Sequence, residues 1–229
     1  MNLSCEQCPV RASAACAVLT SEERDALARG GRTRQLKRGE MLFAAGDDNT
    51  TCATLIEGAL KVSSVDEEGQ ERILALVHPA GFVGELFAPF SGHDVIALTD
   101  SRLCLFSRAD LDDAVTRYPA LGKALLQRAQ EDLHESRNLL ELTSRRSAVS
   151  RVSGLMVGLA EAASHSPCHP ADRFELPMSR GEIAQMLGLT IETVSRAVTS
   201  LEKDGIIRRK GARGIDLLDP ARLAAMTGD

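Results

Sequence analysis

Between Thr33 and Phe106 the chain holds six short apolar runs with no helical stretch between them, and that pattern removes most architectures. The runs are Met41-Leu-Phe43, Thr54-Leu-Ile56, Leu60-Lys-Val62, Ile73-Leu-Ala-Leu-Val77, Val95-Ile-Ala-Leu98 and Leu103-Cys-Leu-Phe106. Turn signals punctuate them: Arg38-Gly39, Gly46-Asp-Asp-Asn49, Glu57-Gly58, Asp66-Glu-Glu-Gly69, Pro79-Ala-Gly81 and Ser91-Gly92. Short strands joined by polar turns predict an antiparallel barrel or jelly roll. A doubly wound parallel sheet needs a helix after each strand, and none is available here. Before the roll, Thr20-Ser-Glu-Glu23 offers a capping box for a short helix from Glu22 to Ala28.

After Pro119 the strand signals stop. Leu126, Ala129, Leu133, Ser136, Leu140 and Thr143 recur at alternating spacings of three and four, the heptad pattern of a helix that pairs with a second helix. Leu125, Leu139 and Leu142 form a neighbouring stripe that can rest on the chain's own body. Ser136 and Thr143 are polar and are expected to weaken the seam. The alternative is a helix buried within its own domain. A second helix, from about Ala148 to Ala163, is apolar along Val152, Leu155, Met156 and Leu159. The stretch Ser164–Pro170 reads as a loop, and its Cys168 and His169 are weak metal-ligand candidates. The predicted class is α+β, divided as a Cys-rich segment (1–19), a β-roll (20–117), a dimerisation helix (118–147) and a C-terminal domain (148–229).

In that last domain Ser179-Arg-Gly-Glu182 is a second capping box, opening a helix with Ile183, Ala184 and Leu187. Gly188-Leu-Thr190 follows, then a helix from Ile191 to Asp204. A helix-turn-helix needs a small residue at the crossing, a Gly in the turn and apolar residues locking the pair. Ala184, Gly188 and the set Ile183, Leu187, Leu189, Val194 and Val198 meet those needs. Glu192, Ser195, Arg196 and Thr199 share the opposite face of the second helix, where side chains can enter a major groove. Arg donates bidentately to guanine and Glu accepts from cytosine; Ser reaches a base or a phosphate. An exposed Glu192–Arg196 ion pair is the plainer alternative. Ile206 to Leu217 reads as two strands around a basic turn, a wing. Thr190 and the wing cations Arg208, Lys210 and Arg213 complete the expected contacts to double-stranded DNA. The formal net charge is −5. It conceals a local positive excess between Thr193 and Arg213.

Six cysteines remain to be explained. The N-terminus has neither the basic region nor the apolar core of a signal peptide, and no run approaches a membrane span. A cytoplasmic chain, with no membrane attachment, keeps its cysteines as thiols, metal ligands or small buried hydrophobes. Cys5, Cys8 and Cys16 are spaced C-x2-C-x7-C; Cys104 lies far downstream in a strand, and the four can share one constellation. Spacing leaves three readings open: a structural zinc, an iron–sulfur cluster, or a redox dithiol at Cys5 and Cys8. The dithiol enzyme lacks a thioredoxin-like βαβ context and makes the DNA reader superfluous, so no enzyme is expected. Cys52, beside an apolar strand, reads as a buried hydrophobe that could replace Cys104 as fourth ligand.

A β-roll, a long helix and a C-terminal winged helix-turn-helix, in this order, resemble the CRP/FNR family of bacterial transcription regulators over essentially the whole chain. Leu189-Thr-Ile-Glu-Thr-Val-Ser-Arg196 is similar to the recognition helix of the FNR branch, which reads TTGAT-type half-sites. Ala97–Cys104 resembles that branch's segment for the fourth ligand of an oxygen-labile [4Fe–4S] cluster, and Cys5-Glu-Gln-Cys8-Pro with Cys16 resembles the other three. The resemblance implies a cyclic-nucleotide-binding-like roll, a homodimer, oxygen sensing through a [4Fe–4S] cluster, and RNA polymerase as a further partner. The enteric members have a shorter second Cys gap. After Gly84-Glu85-Leu86 the chain has Phe-Ala-Pro-Phe-Ser-Gly-His-Asp94, without the Arg that would hold a cyclic phosphate. Ser136 stands where the oxygen-sensing branch has an acid, and Asp132 lies one turn earlier. Relatives that use zinc, heme or a small molecule form the alternative; His78 and His93, each in a turn, are the barrel's histidines.

Overall fold

The computed structural model describes residues 5–164 and 169–228. Cys168 lies outside them. The chain forms two compact units: the chain up to Gln70 together with Leu74–Ser136, and Glu71–Ile73 together with the chain from Arg137 onward.

In the first unit a short 3-10 turn (Ala15–Val18) leads to α1 (Ser21–Gly30), whose N-terminus carries the Thr20/Glu23 capping box. Eight strands follow: β1 (Gly31–Leu36), β2 (Met41–Phe43), β3 (Thr51–Glu57), β4 (Leu60–Val65), β5 (Glu71–Val77), β6 (Phe82–Val83), β7 (Asp94–Ala97) and β8 (Ser101–Ser107). They form two antiparallel sheets ordered β1-β8-β3-β6 and β2-β7-β4-β5. Between the sheets lies one core, built from Leu36, Leu42, Leu55, Leu60, Val95 and Leu103 among others. Strand side chains alternate in direction. The opposite face of the first sheet therefore presents Cys52, Ile56, Cys104 and Phe106, and this face is buried too. The N-terminal segment (Val10, Ala14, Leu19), Leu27 of α1, α2 (Arg108–Arg117) and the start of α3 (Pro119–Ser144) cover it. β8 thus has core on both sides.

The periodicity reading passed over α2. Its signal was present: Ser107 caps the helix by accepting from the Asp110 N–H at 3.0 Å, but it directly follows a strand run. β6, at two residues, is too short to show alternation.

The second unit contains α4 (Ala148–Ala162), β9 (Arg173–Glu175), α5 (Arg180–Leu187), α6 (Ile191–Lys203), β10 (Ile207–Lys210), β11 (Gly214–Leu217) and α7 (Pro220–Ala225). Its sheet runs β10-β11-β9. Gly154 lets α4 approach the end of α3: a Cβ there would lie 2.4 Å from Leu142 Cδ1.

Candidate metal centre and nucleic-acid interface

Cys5, Cys8, Cys16 and Cys104 line one cavity. Cys104 projects from the middle of β8, registered against Thr33 of β1 on one side and Thr54 of β3 on the other. Its position is therefore fixed by two ladders. Cys8 ends a turn in which its N–H donates to the Cys5 carbonyl at 3.5 Å, and Cys16 sits in the 3-10 turn. Val10 and Ala14, buried between them, anchor the intervening segment on the sheet. The remaining walls are mostly apolar, including Leu27, Ile56, Phe82, Phe106 and Leu121, with Arg11 and Arg24 as the charged members.

Burial raises the Cys5, Cys16 and Cys104 thiols above the ordinary range, and the neighbouring thiols add to the shift. Four thiolates this close repel one another unless positive charge is shared among them. Among the described residues no three His, Cys, Asp or Glu side chains meet as the ligand set of a single metal ion. The four thiols instead surround a cavity. Cys52 is not part of its wall. Burial pushes its thiol up to about 12, and its Sγ contacts the Phe106 carbonyl at 3.7 Å inside the sheet. That fits the buried hydrophobe expected of it. His78 and His93 also lie outside the wall; His93 Nδ1 is 4.0 Å from Glu85.

The thiol segment touches α3 directly. Leu121 and Leu125 line the cavity, and Arg128 Nη2 donates to the Ser13 carbonyl at 2.9 Å while Nη1 pairs with Glu131 at 3.0 Å. Sequence reasoning missed Arg128, because a backbone carbonyl 115 residues away leaves no local pattern. On α3 the heptad positions are exposed in the single chain: Leu126 is 64%, Leu133 51% and Leu140 69% accessible, and Ala129 and Ser136 are open as well. Leu125 packs against the cluster beneath the N-terminal segment, and Leu142 is buried. The polar positions of this stripe satisfy themselves. Ser136 Oγ donates to the Asp132 carbonyl at 2.9 Å and Thr143 Oγ1 to that of Leu140 at 3.0 Å, which reduces the weakening expected of them.

In the second unit α5 starts at the Ser179/Glu182 capping box and ends at Gly188 in the left-handed region, φ 63°. Thr190 then caps α6 by accepting from the Thr193 N–H at 3.3 Å. Val194, Ala197, Val198 and Leu201 are buried, so Glu192 and Arg196 face solvent, with Ser195 and Thr199 half-exposed beside them. Hydrogen bonds from its own N–H and from Thr190, and the nearby Arg196 charge, hold Glu192 below the ordinary carboxylate range. No Glu192–Arg196 ion pair closes; Arg196 Nη2 donates to Thr193 Oγ1 at 3.2 Å. Thr199 spends its hydroxyl on the Ser195 carbonyl at 2.8 Å.

The wing cations are not equivalent. Arg209 is tied to Glu202 through its N–H (3.1 Å) and Nε (2.7 Å), which fixes the wing on α6. Lys210 stands 4.0 Å from Asp216, and Arg208 is exposed. Ile191, an exposed apolar residue at the first position of α6 (53% accessible), was also overlooked. In the cassette after Gly84, Arg108 Nη1 donates to the Ala88 carbonyl at 2.9 Å, so this nearby guanidinium clamps the loop.

Comparison with known proteins agrees with this geometry. The cyclic nucleotide-binding domain family matches residues 33–118 and the Crp-like helix-turn-helix domain family residues 125–226. The transcriptional activator protein FnrL of Cereibacter sphaeroides is 31% identical over 98% of this chain and 92% of its own length. The transcriptional activator protein anr of Pseudomonas aeruginosa is likewise 31% identical over 98% and 92%. Among solved structures, FixK2 from Bradyrhizobium japonicum superimposes with a TM-score of 0.78 at 25% identity, covering 87% of this chain and 98% of that one. A β-roll followed by a long helix and a winged helix-turn-helix, matched over nearly its whole length at this identity, places the chain in the CRP/FNR family of DNA-binding transcription regulators, on its FNR-like branch.

Proposed function

We propose that this chain is an oxygen-responsive regulator holding a [4Fe–4S] cluster on Cys5, Cys8, Cys16 and Cys104 and binding TTGAT-type palindromes as a homodimer in the cytoplasm. One observation carries the reading: four thiols from two distant parts of the chain line a single, mostly apolar cavity whose wall includes α3. The donor set suits the group, since iron–sulfur clusters take four thiolates. A tetrahedral zinc also takes four thiolates; bound sulfide separates the two. When bound, the cluster supplies reactivity toward oxygen.

The chain's own residues do the rest. Cys5, Cys8 and Cys16 tether the N-terminal segment, which Val10 and Ala14 press onto the sheet. Through the Arg128–Ser13 contact and Leu125 that segment holds the first half of α3. The stripe Leu126, Ala129, Leu133, Ser136 and Leu140 then meets a second copy. On DNA, Arg196 donates to guanine, Glu192 accepts from cytosine and Ser195 reaches a base or phosphate, with the Ile191 methyls against a thymine methyl. Thr190, Thr199, Arg208, Lys210 and Arg213 serve the backbone. The division into residues 1–19, 20–117, 118–147 and 148–229 assigns sensing, framework, pairing and DNA reading; RNA polymerase is the onward partner.

Oxygen-free purification tests it. About four iron and four sulfide per chain are expected, lost on Cys→Ser at 5, 8, 16 or 104 and retained at Cys52 and Cys168. Stoichiometric zinc without sulfide would overturn the reading.

A further inference from the structure

A four-thiolate iron–sulfur centre is an anion, and the cavity that would receive it is walled mainly by carbon. A buried anion needs compensating cations or N–H donors, or its environment expels it. Among the described residues two guanidiniums line this cavity, Arg11 and Arg24. Arg11 is partly committed, since its Nη2 lies 3.5 Å from Ser21 Oγ. Arg24, in the first turns of α1, is half-buried, and among the described residues its side chain makes no hydrogen bond or ion pair. Its charge acts on both Cys5 and Cys16, from the two ends of the thiol segment. A half-buried guanidinium with five donors and no partner among the described residues, set beside four thiols, is an arrangement that a bound anion completes.

We propose that Arg24 is the cation that holds the thiolate-bound centre and sets its resistance to oxidation. This rests on the cluster reading above. Arg24 is a positioning and tuning residue, not a ligand. It lines the same cavity as the four thiols, and net charge and hydrogen bonds to sulfur govern the potential of such centres. A cation nearby stabilises the more negative, reduced state over the oxidised one. Removing it makes withdrawal of an electron easier. No bond to Arg24 forms or breaks; the electron passes to an external oxidant, for which ferricyanide serves as a one-electron acceptor.

The experiment compares wild type, Arg24→Gln, Arg24→Lys and Arg11→Gln, all prepared without oxygen. Iron and sulfide per chain are measured first, then the rate at which ferricyanide bleaches the thiolate–iron absorbance. Arg24→Gln is expected to keep its iron and sulfide and to bleach at least about tenfold faster. Arg24→Lys should fall close to wild type, and Arg11→Gln should change the rate by less than Arg24→Gln. If Arg24→Gln loses the centre altogether, retention by Arg24→Lys still supports a cation, whereas loss in both overturns it. Equal bleaching rates in Arg24→Gln and wild type also overturn it while leaving the cluster reading intact. A wild-type chain that binds zinc and no sulfide removes both.

Discussion

Leu133→Asp separates pairing of the chain from its folding. Leu133 is 51% accessible in the single chain and contributes to no core there. The substitution should therefore leave monomer stability within about 0.5 kcal/mol, as for other surface changes. In a seam of two copies, each Leu133 buries its remaining half. Full burial of a leucine stabilises by about 1.5–3 kcal/mol, so the two halves give roughly 2 kcal/mol. Asp at the same place loses that and brings two like charges into the seam. Unpaired charge in such a setting costs several kcal/mol. A total near 5 kcal/mol corresponds to more than about a thousandfold in the dimer dissociation constant. Sedimentation equilibrium on anaerobic protein measures it, with iron, sulfide and melting temperature as controls. The expected product is a monomer that melts like wild type, keeps its iron and sulfide, and no longer binds a palindrome. A variant dimerising within threefold of wild type would refute the assignment of the seam to this stripe.

Three further outcomes follow from the geometry. Arg196→Ala should weaken the cognate site by about 1–3 kcal/mol and relax its preference, whereas Arg208→Ala should weaken all duplexes alike and lower the salt slope by about one; titrations on cognate and random DNA at several salt concentrations separate the two. Ser63 is fully buried on β4 and its hydroxyl has no partner among the described residues, so Ser63→Ala should stabilise the fold by about 1 kcal/mol in urea unfolding. Burial holds His78 below its ordinary value of 6.5, so the unfolded chain takes up its proton first as pH falls. Its contribution is complete above pH 6.5 and is lost toward the folded value below that, and His78→Gln should flatten this part of the stability profile measured by denaturant midpoints.

How far the sequence spoke depended on the range of each interaction. The capping boxes at Thr20 and Ser179, the Gly188 turn and the α6 face were legible because each is settled within four residues. The exposure of the stripe on α3 was legible for the same reason: a helix face turned outward keeps its heptad undisturbed. The two-sided burial of β8 was not legible. Leu103-Cys-Leu-Phe106 reads as one apolar run, and only the sheet order shows Leu103 and Leu105 facing one core while Cys104 and Phe106 face another. Cys104 could be joined to the N-terminal thiols through the family resemblance, since 88 positions of sequence spacing carry no geometry. Arg24 and Arg128 were hidden because a charged residue on a helix ordinarily marks a solvated face. The wing's basic count was legible, but not that Glu202 withdraws Arg209 from it.

The covering of that second face has a consequence for the lifetime of the released state. Val10, Ala14 and Leu19 are the lid over Cys52, Ile56, Cys104 and Phe106. A chain that lets go of its N-terminal segment uncovers a contiguous apolar surface on a sheet that is otherwise intact. Such a surface invites self-association and chaperone or protease attention. Under the switching proposed above, the released molecule would be a perishable one: it would be rebuilt if iron and sulfide arrived soon, and otherwise removed. The number of active regulators in a cell would follow how quickly that open face is closed again.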